Sequence, residues 1–138
     1  MHQDKIKVTI ATYNTAPKII LLVDDDEDEH EIFLSALKNI DSPFNFVSTN
    51  NCEEALNILK QLDPDYIFID FNMPRVNGIT CLEEIKKIER IAHIPVYMYS
   101  TGIYAQESKK ALQMGAVDYI IKPNSISTLS ALLKKILN

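Results

Sequence analysis

The 138-residue sequence has no run of about 20 apolar residues, the length a helix needs to span a bilayer. Its N-terminus, Met1-His2-Gln3-Asp4-Lys5, has no apolar stretch of signal-peptide length. A soluble, cytoplasmic protein without a membrane partner is expected. A basic cluster is also missing. The net charge is −5, and the pairs Lys86-Lys87, Lys109-Lys110 and Lys134-Lys135 fall inside helical patterns, where a solvated face accounts for them. This argues against nucleic acid as the main partner. Cysteine is scarce: Cys52 and Cys81 are the only two, without a CxxC spacing or a companion histidine. They are expected to be reduced packing residues, not zinc ligands or a disulfide. Repeats and low-complexity tracts are absent. What remains is 46% hydrophobic, enough for the core of one domain and too short for two.

From Ile19 onward, apolar strand-like runs alternate with segments of helical period, which indicates a parallel sheet wrapped by helices. The runs are Ile19 to Val23, Phe44 to Thr49, Tyr66 to Asp70, Pro95 to Tyr99 and Tyr119 to Ile121. Between them, apolar residues recur at helical spacing in the sets Ile32-Phe33-Ala36-Leu37-Ile40, Ala55-Leu56-Leu59-Leu62 and Ile79-Leu82-Ile85-Ile88. A polar helix is expected over Ala105 to Met114, ended by Gly115. A last helix is expected with Ile126, Leu129, Leu133 and Ile136 inward and Ser125 as its cap. The second helix should stop at Asp63-Pro64, because a residue before proline disfavours the helical region. Residues 1–17 stand apart. Lys7 to Tyr13 alternates polar and apolar, so the segment is read as a loosely held tail, with an extra edge strand as the alternative.

The strand ends carry the chemistry. A strand apolar on both faces is covered by helices, so a carboxylate at its last residue lies on the carboxyl edge, where open α/β sheets place their sites. Asp24-Asp25 closes the first run and Asp70 the third. If those strands are neighbours the acids converge, and two such charges about 4 Å apart repel by about 4 kcal/mol at an effective dielectric near 20. A cation relieves that repulsion, and all-oxygen ligation points to a hard ion such as Mg²⁺. Asp26, with Glu29 three residues on, fits a capping box, which assigns Asp26 to the helix start and the later acids to the helix surface. Ser100 closes the fourth run and Lys122 the fifth. Each has an ordinary explanation alone, as cap, turn or surface residue. Acid pair, acid, hydroxyl and ammonium in that order on successive strand ends have no such joint explanation.

The segments Ile20-Leu21-Leu22-Val23-Asp24-Asp25-Asp26, Phe68-Ile69-Asp70-Phe71-Asn72-Met73-Pro74, Val76-Asn77-Gly78, Pro95 to Ser100 and Gly115 to Pro123 resemble the receiver domain of two-component response regulators. The resemblance covers Lys18 to Leu137 and is closest to standalone, chemotaxis-type regulators. It implies a flavodoxin-like, doubly wound five-stranded parallel sheet of order 2-1-3-4-5, with helices on both faces and the receiver spanning 18–138. It also implies that Asp70 is the phosphoacceptor for a histidine kinase or histidine phosphotransfer protein. Asp24, Asp25, Asp70 and the Asn72 backbone carbonyl would bind Mg²⁺, Lys122 and Ser100 would attend the phosphoryl group, and Ser100 with Tyr119 would form the switch. A cis Lys122-Pro123 bond goes with the family.

The expected protein is therefore a single-domain response regulator, a monomer or weak dimer that signals to a protein target without an output domain, and not an enzyme beyond its own phosphorylation and slow dephosphorylation. Two alternatives stand beside it. A Mg²⁺-dependent aspartyl-phosphate phosphatase or phosphotransferase of the haloacid-dehalogenase type needs an acid two residues after the nucleophile, where this chain has Asn72. A phosphorylation-independent receiver-like interaction module would have no use for intact Asp24, Asp25, Asp70, Ser100 and Lys122.

Overall fold

The computed structural model describes residues 6–10, 17–102 and 105–137. Strands β1 (Lys7–Ile10), β2 (Lys18–Val23), β3 (Phe44–Thr49), β4 (Tyr66–Ile69), β5 (Val96–Ser100) and β6 (Asp118–Ile121) form one sheet of order β1-β3-β2-β4-β5-β6. Helices α1 (Glu27–Lys38), α2 (Cys52–Ile58), α3 (Gly78–Lys86), α4 (Ala105–Gln113) and α5 (Ile126–Ile136) connect them. Strands β2 to β6 are parallel and follow the expected order. The central strand alternates between two cores. Leu21 and Val23 of β2 pack with Ala55, Leu59, Leu82 and Ile85 of the α2 and α3 side. Ile20 and Leu22 pack with Phe33, Leu37, Leu129 and Leu133 of α1 and α5. Burial on both faces explains the unbroken apolar runs.

Among the described residues the sheet has six strands rather than five. Lys7–Ile10 pairs antiparallel with β3, Lys7 opposite Ser48 and Ile10 opposite Asn45. Without β1, the outer edge of β3 would present unpaired N–H and C=O groups, and the alternating segment covers them. Most of the rest of the expected tail lies outside the described residues. The antiparallel direction brings Lys7 to the carboxyl edge, where its ammonium lies 3.6 Å from Glu27.

Local expectations meet the structure unevenly. Ser125 caps α5, its hydroxyl accepting from the Thr128 amide, and Gly115 ends α4 at φ 106°, a left-handed position that suits glycine. Helix α2 stops at Ile58, short of Leu62, because residues 60 and 61 close i to i−3 turns ahead of the proline. Strand β6 is buried only at Ile120. It is the outer edge of the sheet, so Tyr119 is 37% exposed and not a core side chain. The Lys122-Pro123 bond is trans, the isomer that X-Pro bonds favour by about 0.5–1 kcal/mol.

Cys52 and Cys81 are joined in a disulfide, contrary to the expectation of separate packing thiols. They are 29 residues apart in sequence, but α2 and α3 lie side by side on the same sheet face, which brings the Cα atoms to 5.6 Å, within bridging range. The cross-linked loop contains Asp70.

Candidate functional site

Topology assembles the site. After β2 the chain crosses to β3 on one side and returns to β4 on the other, so the carboxyl ends of β2 and β4 flank the switch point. Val23 pairs with Ile69, which sets Asp24 beside Asp70. The Asp70 amide donates to the Val23 carbonyl at 2.8 Å and the Asp24 amide to the Thr49 carbonyl at 3.0 Å. Carboxylate oxygens of Asp24, Asp25 and Asp70 all lie within 4.8 Å of one another. The loop after Asp70 is held down from below. A Cβ on Gly78 would lie 2.8 Å from the Phe71 Cα and the Met98 Cε, and closer still to the Asp70 carbonyl, so only glycine lets α3 begin against the acid's own backbone.

Lys122 reaches in from the end of β6. Its ammonium is 2.9 Å from Asp24 Oδ2 and 3.9 Å from Asp70 Oδ1. Its backbone amide donates to the Ser100 carbonyl at 2.8 Å, tying the last two strand ends together. Ser100 Oγ accepts from Asn72 Nδ2 at 3.2 Å and donates to the Gly102 carbonyl at 3.3 Å. The Asn72 amide donates to Asp70 Oδ1 at 3.3 Å. Asp24, Asp25, Asp70 and Lys122 thus converge, Ser100 and Asn72 form the next layer, and Tyr119 faces outward on the edge strand.

Burial sets the electrostatics. Asp24 is 0% and Asp70 5% exposed, while Asp25 is at the surface. Burial, then the Asp24 charge, pushes the Asp70 carboxyl up to about 7 against the pull of Lys122. Burial also raises Asp24, although Lys122 and the Asp26 amide oppose it. For Lys122, burial favours the neutral form, but the hydrogen bond to Asp24 and the surrounding carboxylates outweigh it and hold the ammonium above its usual range. An acid cluster this poorly neutralised, with oxygen donors only, suits a hard divalent cation.

The response regulator receiver family matches residues 20–134. The chain belongs to that family. The receiver is 34% identical over 120 residues to chemotaxis protein CheY-3 of Vibrio cholerae serotype O1, covering 85% of this chain and 89% of that protein. It is 28% identical over 143 residues to the sensor histidine kinase CheAY of Helicobacter pylori, of which it spans 18%. Among solved structures, the phosphorylated cyanobacterial phytochrome response regulator RcpA superposes with a TM-score of 0.79 at 30% identity, covering 88% of this receiver and 91% of RcpA. Receivers are phosphoacceptor signalling proteins that interact with histidine kinases or phosphotransfer proteins, and they bind Mg²⁺ through an acidic pocket. Among the described residues of this one, no helix is long and apolar enough to cross a membrane.

Residues that the sequence pattern did not single out complete the receiver's site. His30, buried on α1, places Nε2 2.7 Å from the Asp24 carbonyl. The expected capping box is only half formed. Asp26 accepts from the Asp28 amide, but its own amide donates to Asp24 Oδ1 at 3.0 Å instead of to Glu29. Glu29 turns inward and accepts from the Tyr99 hydroxyl at 3.5 Å. Helical spacing places His30 and Glu29 on α1 and strand alternation places Tyr99 on one face of β5, but neither shows that they meet.

The raised Asp70 carboxyl has a stability consequence with a definite sign. It sits at about 7 in the fold against 3.8 ordinarily, so the folded state holds the proton more tightly than the unfolded chain. That advantage is complete below pH 4, is lost as pH rises from about 4 to about 7, and is constant above. Allowing for partial solvent screening at the sheet edge, the loss amounts to roughly 2–4 kcal/mol. Asp70→Asn, which has no proton to lose, is expected to be more stable than the wild type in EDTA at pH 8. The gap should close toward pH 4.5, as read from urea midpoints of both proteins. A gap independent of pH would mean that Asp70 is not the strained acid.

Proposed function

We propose that this receiver takes a phosphoryl group on Asp70 from a histidine kinase or a histidine phosphotransfer protein and reports it to a protein target. The observation that carries this reading is the position of Asp70: among the described residues, it closes β4 and faces both the acid pair and the Lys122 ammonium. An Asp70 carboxylate oxygen attacks phosphorus and the phosphorus–nitrogen bond of the donor breaks, leaving the electron pair on the imidazole. Asp24, Asp25, Asp70 and the Asn72 carbonyl would hold Mg²⁺, which supplies positive charge against the phosphoryl oxygens when bound. Lys122, already near Asp70, stabilises the charge that remains on the product. Asn72 supplies no acid, and its amide is engaged with Ser100, which argues against a phosphatase that turns over small substrates. A cytoplasmic site of action fits such donors.

Output runs through Ser100. Its hydroxyl is occupied by Asn72 and Gly102, and a phosphoryl group on Asp70 offers a charged acceptor instead, worth roughly 1.5–3 kcal/mol and enough to shift a two-state equilibrium tenfold or more. When Ser100 moves towards the phosphoryl group, it vacates space beside the edge strand, and the exposed Tyr119 ring turns inward. That reshapes the surface made by α4, β6 and α5, where Val117, Tyr119 and Ile121 are exposed. A protein target of a monomeric or weakly dimeric receiver reads phosphorylation there. NMR with Mg²⁺ and beryllofluoride, a phosphoryl mimic, should move resonances of Ser100, Tyr119 and α4 together. Shifts confined to the acid pocket would overturn the Tyr119 switch.

A further inference from the structure

We infer that Tyr99 is a positioning residue for the site: its buried ring is the floor on which the Lys122 ammonium rests, and it keeps that ammonium aimed at Asp70. The inference rests on the proposed chemistry of Asp70 and adds to it a residue that touches neither phosphoryl group nor metal.

Tyr99 is the residue before Ser100 on β5 and is 1% exposed. The Lys122 ammonium lies 5.3 Å from its ring centroid, within cation–π range. The ring is fixed on two sides. Phe33 of α1 meets it edge-on at 5.5 Å with an interplanar angle of 88°, and the hydroxyl donates to Glu29. An ammonium on a flexible four-carbon stem among several carboxylates has more than one place to go. Its shortest contact is with Asp24, 2.9 Å away, while Asp70 is 3.9 Å away. A negative π face beneath it restricts the ammonium to the arc between those two acids. The same bond that orients the ring turns Glu29 away from the helix cap, so the third carboxylate near Lys122 is held by the tyrosine hydroxyl. An aliphatic residue in place of Tyr99 would preserve the strand and its core face. It would leave Lys122 free to swing toward Glu29, away from a phosphoryl group on Asp70.

The experiment compares wild type, Tyr99→Phe and Tyr99→Leu, each with three readings. Calorimetry with Mg²⁺ alone measures the carboxylate cluster, to which Lys122 is not a ligand. Beryllofluoride affinity in saturating Mg²⁺ measures the ammonium's contribution. The NMR shift of the Lys122 ε-methylene in the untreated protein reports whether it lies over an aromatic ring. Tyr99→Leu is expected to bind Mg²⁺ within about twofold of wild type, to bind beryllofluoride about tenfold more weakly, and to lose the upfield ring shift. Tyr99→Phe, which keeps the ring, should recover most of the affinity and the shift.

Parallel loss of Mg²⁺ and beryllofluoride binding in Tyr99→Leu would show a merely structural role and overturn the inference. So would unchanged beryllofluoride affinity, or a phenylalanine variant as impaired as the leucine one. If Tyr99→Leu does not fold, the wild-type ε-methylene shift decides alone, because its absence would place Lys122 off the ring. If wild type itself ignores beryllofluoride while showing that shift, the Asp70 phosphorylation reading fails and the Tyr99–Lys122 placement stands.

Discussion

Asp70→Asn is expected to take up no phosphoryl group from acetyl phosphate and Mg²⁺, whereas the wild type takes up one, seen by mass spectrometry as a base-labile adduct. The expectation is all-or-none because no other carboxylate of the site can substitute. Asp24 is closer to Lys122, but it is fully buried and committed, Oδ2 to the ammonium and Oδ1 to the Asp26 amide. Asp25 is exposed, and the Lys122 ammonium makes its ion pairs with Asp24 and Asp70 instead. The side-chain amide introduced by Asp70→Asn would keep the hydrogen-bonding shape of the loop and remove only the nucleophile and its charge. Persistence of the adduct in the variant would move the phosphoacceptor elsewhere and dismantle the site as described.

Substitutions at the neighbouring acids Asp25 and Asp26 should separate by a wide margin. Asp25→Ala removes one of the carboxylates whose oxygens converge within 4.8 Å. A charge about 4 Å from a cation contributes about 4 kcal/mol at an effective dielectric near 20, so Mg²⁺ affinity should fall by about a hundredfold or more, and phosphorylation with it. Asp26→Ala removes the acceptor for the Asp28 amide at the start of α1. It should cost about 1 kcal/mol of stability and leave Mg²⁺ affinity nearly unchanged. Titration calorimetry of the two variants, with urea unfolding alongside, makes the comparison directly. Equal loss of metal affinity in both would mean that the cation site is displaced by one residue along the turn.

Much of the site is legible in the chain itself, for a physical reason. Parallel strands covered on both faces must be apolar throughout, so a charged residue that closes one is conspicuous, and Asp24, Asp70 and Lys122 stand out at run ends. Caps are likewise local: Asp26 and Ser125 reach amides two or three residues away, and their signals need no tertiary knowledge. Glu29 shows where local inference fails. Its spacing from Asp26 is that of a capping box, yet a buried tyrosine hydroxyl 70 residues away takes the carboxylate and Asp24 takes the vacant amide. The cysteine expectation failed for the same reason, since spacing in the chain says nothing about two helices packed on one sheet face.

Hydrophobic period and the charges at strand ends were enough to indicate the alternation of elements and to pick out the acids, the hydroxyl and the lysine that the fold gathers at the carboxyl edge. That Lys7–Ile10 pairs with β3, that Cys52 meets Cys81 and that Tyr99 lies beneath Lys122 emerged from the folded arrangement. Those contacts join residues far apart in the chain. They are settled by which arrangement of helices and strands buries the apolar faces and pairs the backbone, a property of the whole fold that no local window contains.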